Sequence, residues 1–291
     1  MKRKIVPGEI PTRDLHQFLL GAVAPRPIAF VSTVDEDGND NVAPYSFFNV
    51  FSSNPPTAVF SSNRRVVDNT TKDTLHNVET TREAVISVVS HDIVRQMTLC
   101  SVQFDRGISE FEKSGLTPIA SELVKPKCIL ESPVNMECKV KEIVPLGTHG
   151  GAGHLIICEI VLMHINENVI DENGRIDPHK IDLMGRNGRA YYTRSSGNAI
   201  ETIVQAVTEI VIGYDSLPEF IRMSSSLSAN DVAQMAGNTK MPSPEEIESF
   251  KNKNAALYSN KDDSTLAFAK AKELLTEDHR FDALTCLLAT K

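Results

Sequence analysis

Three cations crowd the stretch "SSNRRVVDNTTKDT" at residues 61–74: Arg64, Arg65 and Lys72. They stand before Asp73, Leu75, Val78 and Glu79, whose spacing predicts a helix over 73–80. A cation at that end of a helix opposes the helix dipole. The chemistry that explains such a placement is anion binding. With Thr70 or Thr71 as the cap, the unpaired N–H groups of the first turn point to where Lys72, Arg64 and the hydroxyls of Ser61, Ser62 and Thr74 converge. A phosphomonoester fits that cradle without Mg²⁺, because charge-assisted hydrogen bonds contribute about 1.5–3 kcal/mol each. Spacing alone equally allows three cations on a solvated loop.

A second stretch, "GTHGGAGHLIICEI" at 147–160, places its glycines before a strand, with no helix after them, so it is not a dinucleotide fingerprint. It reads as a hairpin loop or as one wall of a pocket. His149 and His154 in that loop have no HExxH or cysteine cluster beside them, so no metal is expected. Asp35, Glu36 and Asp37 form an acidic turn without the spacing of a calcium loop, and the serines at 224–228 lack a GxSxG elbow.

The elements that must position these residues are mostly strands. "IAFVSTV" at 28–34 and a strand near Val42 make a hairpin closed by Gly38, and further strands are predicted at 57–63, 84–90, 134–144, 154–165 and 168–170. Helices are predicted from Thr12 as N-cap to Gly21 as stop, and over 73–80, 92–102 and 109–114, the last stopped by Gly115. Short strands with few helices between them favour a mainly β fold, an antiparallel barrel. From about Ile200 helix punctuation takes over. "SPEE" at 243–246 is a capping box with proline at the first helical position, and "SAND" at 228–231 offers a similar pair with Gly237 as a stop. The predicted organisation is a barrel domain over 1–205 and a helical extension over 206–291, with "NKNAALYSNKDDS" as a polar linker.

A formal net charge of −8 argues against nucleic acid as a partner, since neutralising phosphates needs a basic stripe. An odd five cysteines without a CxxC pair, and no signal peptide, point to a reducing cytoplasm. The apolar runs fall short of a membrane span, so a soluble protein is expected.

"PRPIAFVSTVDEDGNDNVAPYSFFNVFSSNPP", followed by "SSNRR" and "KDTLHNV", resembles the flavin reductase-like family, and residues 20–195 carry the pattern in order. The resemblance implies an FMN-binding split barrel. It implies a cofactor set of Thr33, Asn41, Ala43, Pro44, Tyr45, Ser46, Ser61, Ser62, Arg64, Lys72, Asp73 and Thr74. The serines and the "KDT" segment receive the phosphate, and "NVAPYS" touches the isoalloxazine. His154 takes the substrate side, where nicotinamide arrives. A flat apolar ring with a polar edge suits "NVAPYSFF": Ala43 is small, Ser46 adds a hydroxyl, and Pro44 is expected to break the ladder and free N–H groups. Tyr45, Phe47 and Phe48 are either stacking partners or core. Two departures bear on ring packing and access: Phe30 stands where the family has tryptophan, and "RNGRAYY" places Arg189 where a small residue is usual.

The implied activity is hydride transfer from NAD(P)H to flavin N5, with electrons passed to free flavin or another acceptor. Because the cofactor carries that chemistry, no catalytic residue need be visible. A homodimer is implied as well. The alternatives are a non-enzymatic flavin-binding or electron-carrier module and a barrel with an empty site.

Overall fold

The computed structural model describes residues 2–105, 107–203, 208–259 and 264–291. The chain divides into two compact units, residues 1–201 and 202–291. The 205/206 boundary expected from sequence lies outside the described residues.

The first unit is built on seven antiparallel strands: β1 (Ala29–Val34), β2 (Asp40–Tyr45), β3 (Phe48–Ser53), β4 (Pro56–Asn63), β5 (Glu83–Ser87), β8 (Val134–Pro145) and β9 (Gly153–Ile165), in the order β2-β1-β5-β8-β9-β4-β3. Two short ladders add β6 (Pro118–Ile119) with β7 (Cys128–Ile129), and β10 (Met184–Arg186) with β11 (Tyr192–Arg194). Alternation along the strands defines the interior. Ala29, Val31, Ala43, Tyr45, Ala58, Phe60, Ile86, Met136, Ile156 and Cys158 face one continuous core. The sheet's two ends meet where β2 turns into β3, and the Ser61 N–H donates to the Phe47 carbonyl at 2.8 Å across that corner. The result is a barrel closed at a seam.

Helices α1 (Thr12–Ala22), α2 (Asp73–Thr81), α3 (Val94–Leu99), α4 (Glu110–Ser114) and α5 (Pro178–Ile181) belong to this unit. Helix α2 lays Leu75 and Val78 on the barrel core, whereas α3 and α4 cover Ile28, Phe30 and Val42 on the outer face with Val94, Met97 and Phe111.

Several local expectations are corrected. Helix α1 runs through Gly21 to Ala22, with Pro11 rather than Thr12 at the N-cap. Helix α3 covers 94–99 instead of 92–102. The strand expected at 168–170 is a 3₁₀ turn over Glu167–Val169, followed by a bridge from Ile170 to Ile176. Strand β3 was not anticipated.

The second unit holds α6 (Glu219–Arg222), α7 (Ala229–Ala236), α8 (Pro244–Lys253), α9 (Thr265–Thr276) and α10 (Arg280–Leu288). Both capping boxes form: Ser228 with Asp231, and Ser243 with Glu246. Leu217, Ile221, Val232, Met235, Ala271, Leu275, Leu284 and Leu287 make a core of its own. The expected linker is partly structured. Ala255–Tyr258 form a 3₁₀ turn, Leu257 and Tyr258 pack on that core, and the Tyr258 hydroxyl donates to the Cys286 carbonyl at 3.0 Å. Residues 260–263 of that stretch lie outside the described ones.

Candidate functional site

Strand register assembles the expected residues at one end of the barrel. Thr33 pairs with Asn41 across β1 and β2, and Ser62 pairs with His154 across β4 and β9. Each continues the inward alternation set by Val31 and Ala43, or by Phe60 and Ile156. The first turn of α2 packs here. Asn41 Nδ2 donates to Thr74 Oγ1 at 2.9 Å and to Thr33 Oγ1 at 3.2 Å, and Asn77 Nδ2 donates to Thr33 Oγ1 at 3.1 Å. These bonds dock the helix start onto the strands. Thr33 and Thr74 are 0% exposed and support the start of the helix through these bonds.

The N-cap of α2 is Lys72, and neither Thr70 nor Thr71 caps it. Both threonines serve the loop before the helix: Arg65 Nη1 donates to Thr70 Oγ1 and to the Thr71 carbonyl, each at 2.7 Å. Arg64 Nη1 donates to the Asn69 carbonyl at 2.9 Å. The Lys72 ammonium lies over the Tyr45 ring, 4.8 Å from its centre. Among the described residues, none of these three cations forms an ion pair. Burial, then the nearby charge of Arg65, pull the Lys72 amine below its ordinary value, with Glu110 opposing them. The Tyr45 hydroxyl lies next to those of Thr74 and Ser62, but neither it nor Ser62 Oγ makes a well-formed hydrogen bond, and Arg64 Nε also lacks one. Burial pushes the Tyr45 phenol up to about 12. Lys72, set against Tyr45 without an ion pair and preceded by two arginines in the same loop, suits an anionic group such as a phosphate.

The glycine loop is packed against this cation loop. The Arg64 N–H donates to the Ala152 carbonyl at 2.8 Å, and the Gly151 N–H returns to the Arg64 carbonyl at 2.9 Å. A Cβ on Gly150 would lie 2.9 Å from the Arg65 carbonyl oxygen, and one on Gly153 would lie 2.5 Å from Ser61 Oγ. Close backbone approach, more than chain flexibility, is why glycine stands there. Ser61 Oγ donates to Asn63 Oδ1 at 2.8 Å on the face of β4 opposite Ser62. Asn63 thus stands beside Ser61 on that face, and sequence reasoning left it out of the site although the period of two along β4 pairs the two; Arg65 was named there only among the three crowding cations. His154 is buried, with Nδ1 3.1 Å from the Ser62 carbonyl. A carbonyl only accepts, so Nδ1 carries the proton in this arrangement.

Pro44 does not break the ladder. Strand β2 ends the sheet order, Phe30 still pairs with Pro44, and the Val42 N–H turns outward to Glu110 Oε2 at 3.0 Å. Pro44 shares that outward parity, where a missing donor costs no strand pairing. Tyr45 packs on Phe60 with ring centres 5.2 Å apart, so its ring is core, and Phe48 also packs on the core. Phe47 meets His16 of α1 edge-on at 6.1 Å. Ser46 is half-buried at the corner and accepts a hydrogen bond from Arg26.

Asp73 lies apart from the cations' purpose. With Asn41 and Asn77 it lines an acidic concavity together with Asp35, Asp40, Asp105 and Glu110. Carboxylates there oppose an anion, so Asp73 does not suit phosphate contact. Phe30 is buried under α3 and α4, away from the cradle, and Arg189 occupies a left-handed turn at φ 56°. Elsewhere, Cys128, Glu137 and His164 bring three potential ligand atoms within 4.8 Å of one another. Both Glu137 oxygens are already taken, Oε1 by the Glu122 N–H (2.8 Å) and His164 Nε2 (2.7 Å), Oε2 by the N–H groups of Leu123 (2.6 Å) and Val124 (3.2 Å). The carboxylate anchors a loop.

A seven-stranded antiparallel barrel closed at a seam defines the split-barrel class. A structure from Shewanella frigidimarina NCIMB 400 described as having a split barrel domain matches with a TM-score of 0.58 at 25% identity, over 68% of this chain and 94% of that one. Nitrilotriacetate monooxygenase component B from Bacillus cereus is similar with a TM-score of 0.64 at 30% identity, over 69% of this chain and 99% of that chain. The Pseudomonas fluorescens 2-nitrobenzoate 2-nitroreductase NbaA matches at 0.62 and 29%, over 70% and 98%. A protein of Aquifex aeolicus (strain VF5) is 40% identical over 183 residues, which are 63% of this chain and 91% of that one. The family model for the flavin reductase like domain matches residues 21–193, and the chain belongs to that family. The match ends before the second unit begins.

Proposed function

We propose that the chain binds FMN and acts as an NAD(P)H-dependent flavin oxidoreductase that passes electrons to free flavin or another acceptor. The observation that carries this reading is Lys72, held over the Tyr45 ring without an ion pair among the described residues, with Arg64 and Arg65 in the loop that leads into α2. Bound FMN would supply the redox chemistry between nicotinamide and acceptor. Lys72, Arg64 and Arg65 would hold the phosphate, with Ser62 on the inner face of β4 and Ser61 and Asn63 on its outer face. Pro44 and Ser46 would stand beside the isoalloxazine, with Ala43 packed in the core on the other face of β2. His154, with Nδ1 tied to the Ser62 carbonyl, keeps Nε2 for the substrate side. The barrel wall would exclude water from one face of the bound ring.

Two further parts of the reading have their own support. Val50 and Phe51 are 51% and 70% exposed on β3 at the end of the sheet, an apolar edge that a second copy of this chain would cover. A homodimer follows, and light scattering at low concentration tests it: a monomer refutes it. All five cysteines are free and buried, in keeping with the reducing cytoplasm. Among the described residues no helix is long and apolar enough to cross a membrane.

The test of the whole is anaerobic stopped-flow absorbance. Bleaching of bound flavin on adding NADH or NADPH supports the reductase. A spectrum that stays oxidised with both assigns the protein to flavin-binding electron carriers instead. Failure to take up FMN at all leaves a barrel with an empty site and refutes the cofactor assignment.

A further inference from the structure

Arg26 is the charged residue that the reading above leaves without a task. It is 4% exposed, and among the described residues no carboxylate pairs with it. A guanidinium so deeply buried is tolerated only when its donors are met. Here they are met from three directions. Nη1 donates to the Leu20 and Val23 carbonyls at the end of α1, both at 2.6 Å, where a cation complements the helix dipole. Nη2 donates to the Asn187 carbonyl at 3.2 Å. Nε donates to Ser46 Oγ at 3.3 Å. The Arg26 backbone exchanges two hydrogen bonds with Arg186, at 2.9 and 2.8 Å, which fixes the root of the side chain.

What this fork holds is the corner between β2 and β3. Beside Ser46, the Phe47 ring centre is 6.0 Å from the guanidinium carbon, and the Phe47 carbonyl takes the Ser61 N–H at 2.8 Å. Ser61 leads directly into Ser62 and Arg64. One rigid connection therefore runs from Arg26 through the corner to the phosphate cradle, and the planar fork of arginine makes all its attachments at once where an ammonium cannot.

We infer that Arg26 is a positioning residue: through Ser46 it sets the corner against which the flavin ring rests. The inference rests on the FMN reading and adds a residue to it. Its signature is an effect on the ring alone. FMN and riboflavin, which differ by the phosphate, should lose affinity alike.

The experiment is a fluorescence titration of the full chain with each flavin, for the unsubstituted protein, R26K, S46A and the double variant. We expect R26K and S46A each to weaken both flavins by roughly tenfold, as loss of one charge-assisted hydrogen bond predicts. The double variant should be no weaker than the worse single one, because both remove the same link. The visible spectrum of bound flavin should shift in the same direction in all three. If R26K melts earlier but binds both flavins with unchanged affinity and spectrum, Arg26 is structural only and the inference is overturned. Additive losses in the double variant overturn it too, since they deny that Arg26 acts through Ser46. S46A alone also alters the wall beside the ring, so the link is read from the double variant, and if R26K does not fold Arg26→Gln, which keeps a side-chain donor, takes its place. An unsubstituted protein that binds neither flavin refutes the cofactor assignment itself, a different failure from the two above.

Discussion

The Lys72 ammonium stands 4.8 Å from the centre of the Tyr45 ring and makes no ion pair among the described residues. A cation over an aromatic face beside two further cations is electrostatically unfinished, and an arriving anion completes it. Replacing Lys72 with alanine should therefore weaken FMN by about 10- to 100-fold, as expected for one charge-assisted contact, and leave riboflavin nearly unchanged. Parallel titrations with the two flavins check this. Equal losses would place the phosphate elsewhere.

The same residue gives a pH dependence with opposite signs for stability and for binding. Burial, followed by Arg65, lowers the folded Lys72 value below 10.5, so between the two values the unfolded chain holds more protons. Stability of the unliganded protein should rise with pH across that window, and Lys72→Met should remove the rise. FMN affinity should fall over the same window, because a phosphate needs the charged amine. Denaturation midpoints and flavin titrations from neutral to alkaline pH measure both.

Gly150→Ala should destabilise the first unit by about 1–3 kcal/mol. The new Cβ would sit 2.9 Å from the Arg65 carbonyl oxygen and 3.0 Å from the Val66 Cα, and neither backbone atom can turn aside as a flexible side chain does. Thermal unfolding reads the loss. Flavin affinity should drop with it, since the cation loop has to move.

Glu137→Gln should cost about 2–3 kcal/mol, because an amide nitrogen would face backbone donors where an oxygen now accepts. Burial alone would raise the Glu137 carboxyl. The N–H of Glu122, the His164 imidazole and the N–H of Leu123 together outweigh it and hold it below the ordinary 4.5. The stabilisation is then complete above pH 4.5 and lost as pH falls through the depressed value, so the variant should show a flatter acid limb. Urea midpoints between neutral and acidic pH decide it.

In the second unit, Ser243→Ala should cost about 1 kcal/mol, the usual loss for an N-cap. Ser243 Oγ accepts the Glu246 N–H at 3.2 Å, and Glu246 returns through Oε2 to the Ser243 N–H at 2.7 Å. Helical circular dichroism followed through denaturation measures it. An unchanged midpoint would mean that the box adds nothing to the fold.

Local chemistry was what the sequence made legible. The capping boxes at Ser228 and Ser243 depend on residues three apart, and the β-branched runs of β1, β4, β8 and β9 announce themselves within a few positions. Strand β3 was hidden because only Ser46 and Phe47 separate it from β2, with no glycine or asparagine to mark the turn, and because its exposed Val50 and Phe51 spoil the alternation. In the site, Lys72, Arg64 and the two serines were visible as types, but which hydroxyls are held by side chains far along the sequence was not. Thr33 is sealed by Asn77, 44 positions away, and Thr74 by Asn41, a burial decided by tertiary packing. Arg26 was missed for the same reason: "APRP" shows only an extended entry, while its guanidinium reaches Asn187, 161 residues on.

The seating of Gly150 and Gly151 against Arg64, Arg65 and Val66 joins two distant stretches of chain. The atoms that 64–66 present to the glycines are mostly backbone, so a laboratory library that randomises those side chains keeps the seating, whereas one that randomises 150–153 will mostly recover misfolded clones. Ligand preference can therefore be varied on the cation side of this seam while the glycine side is held constant.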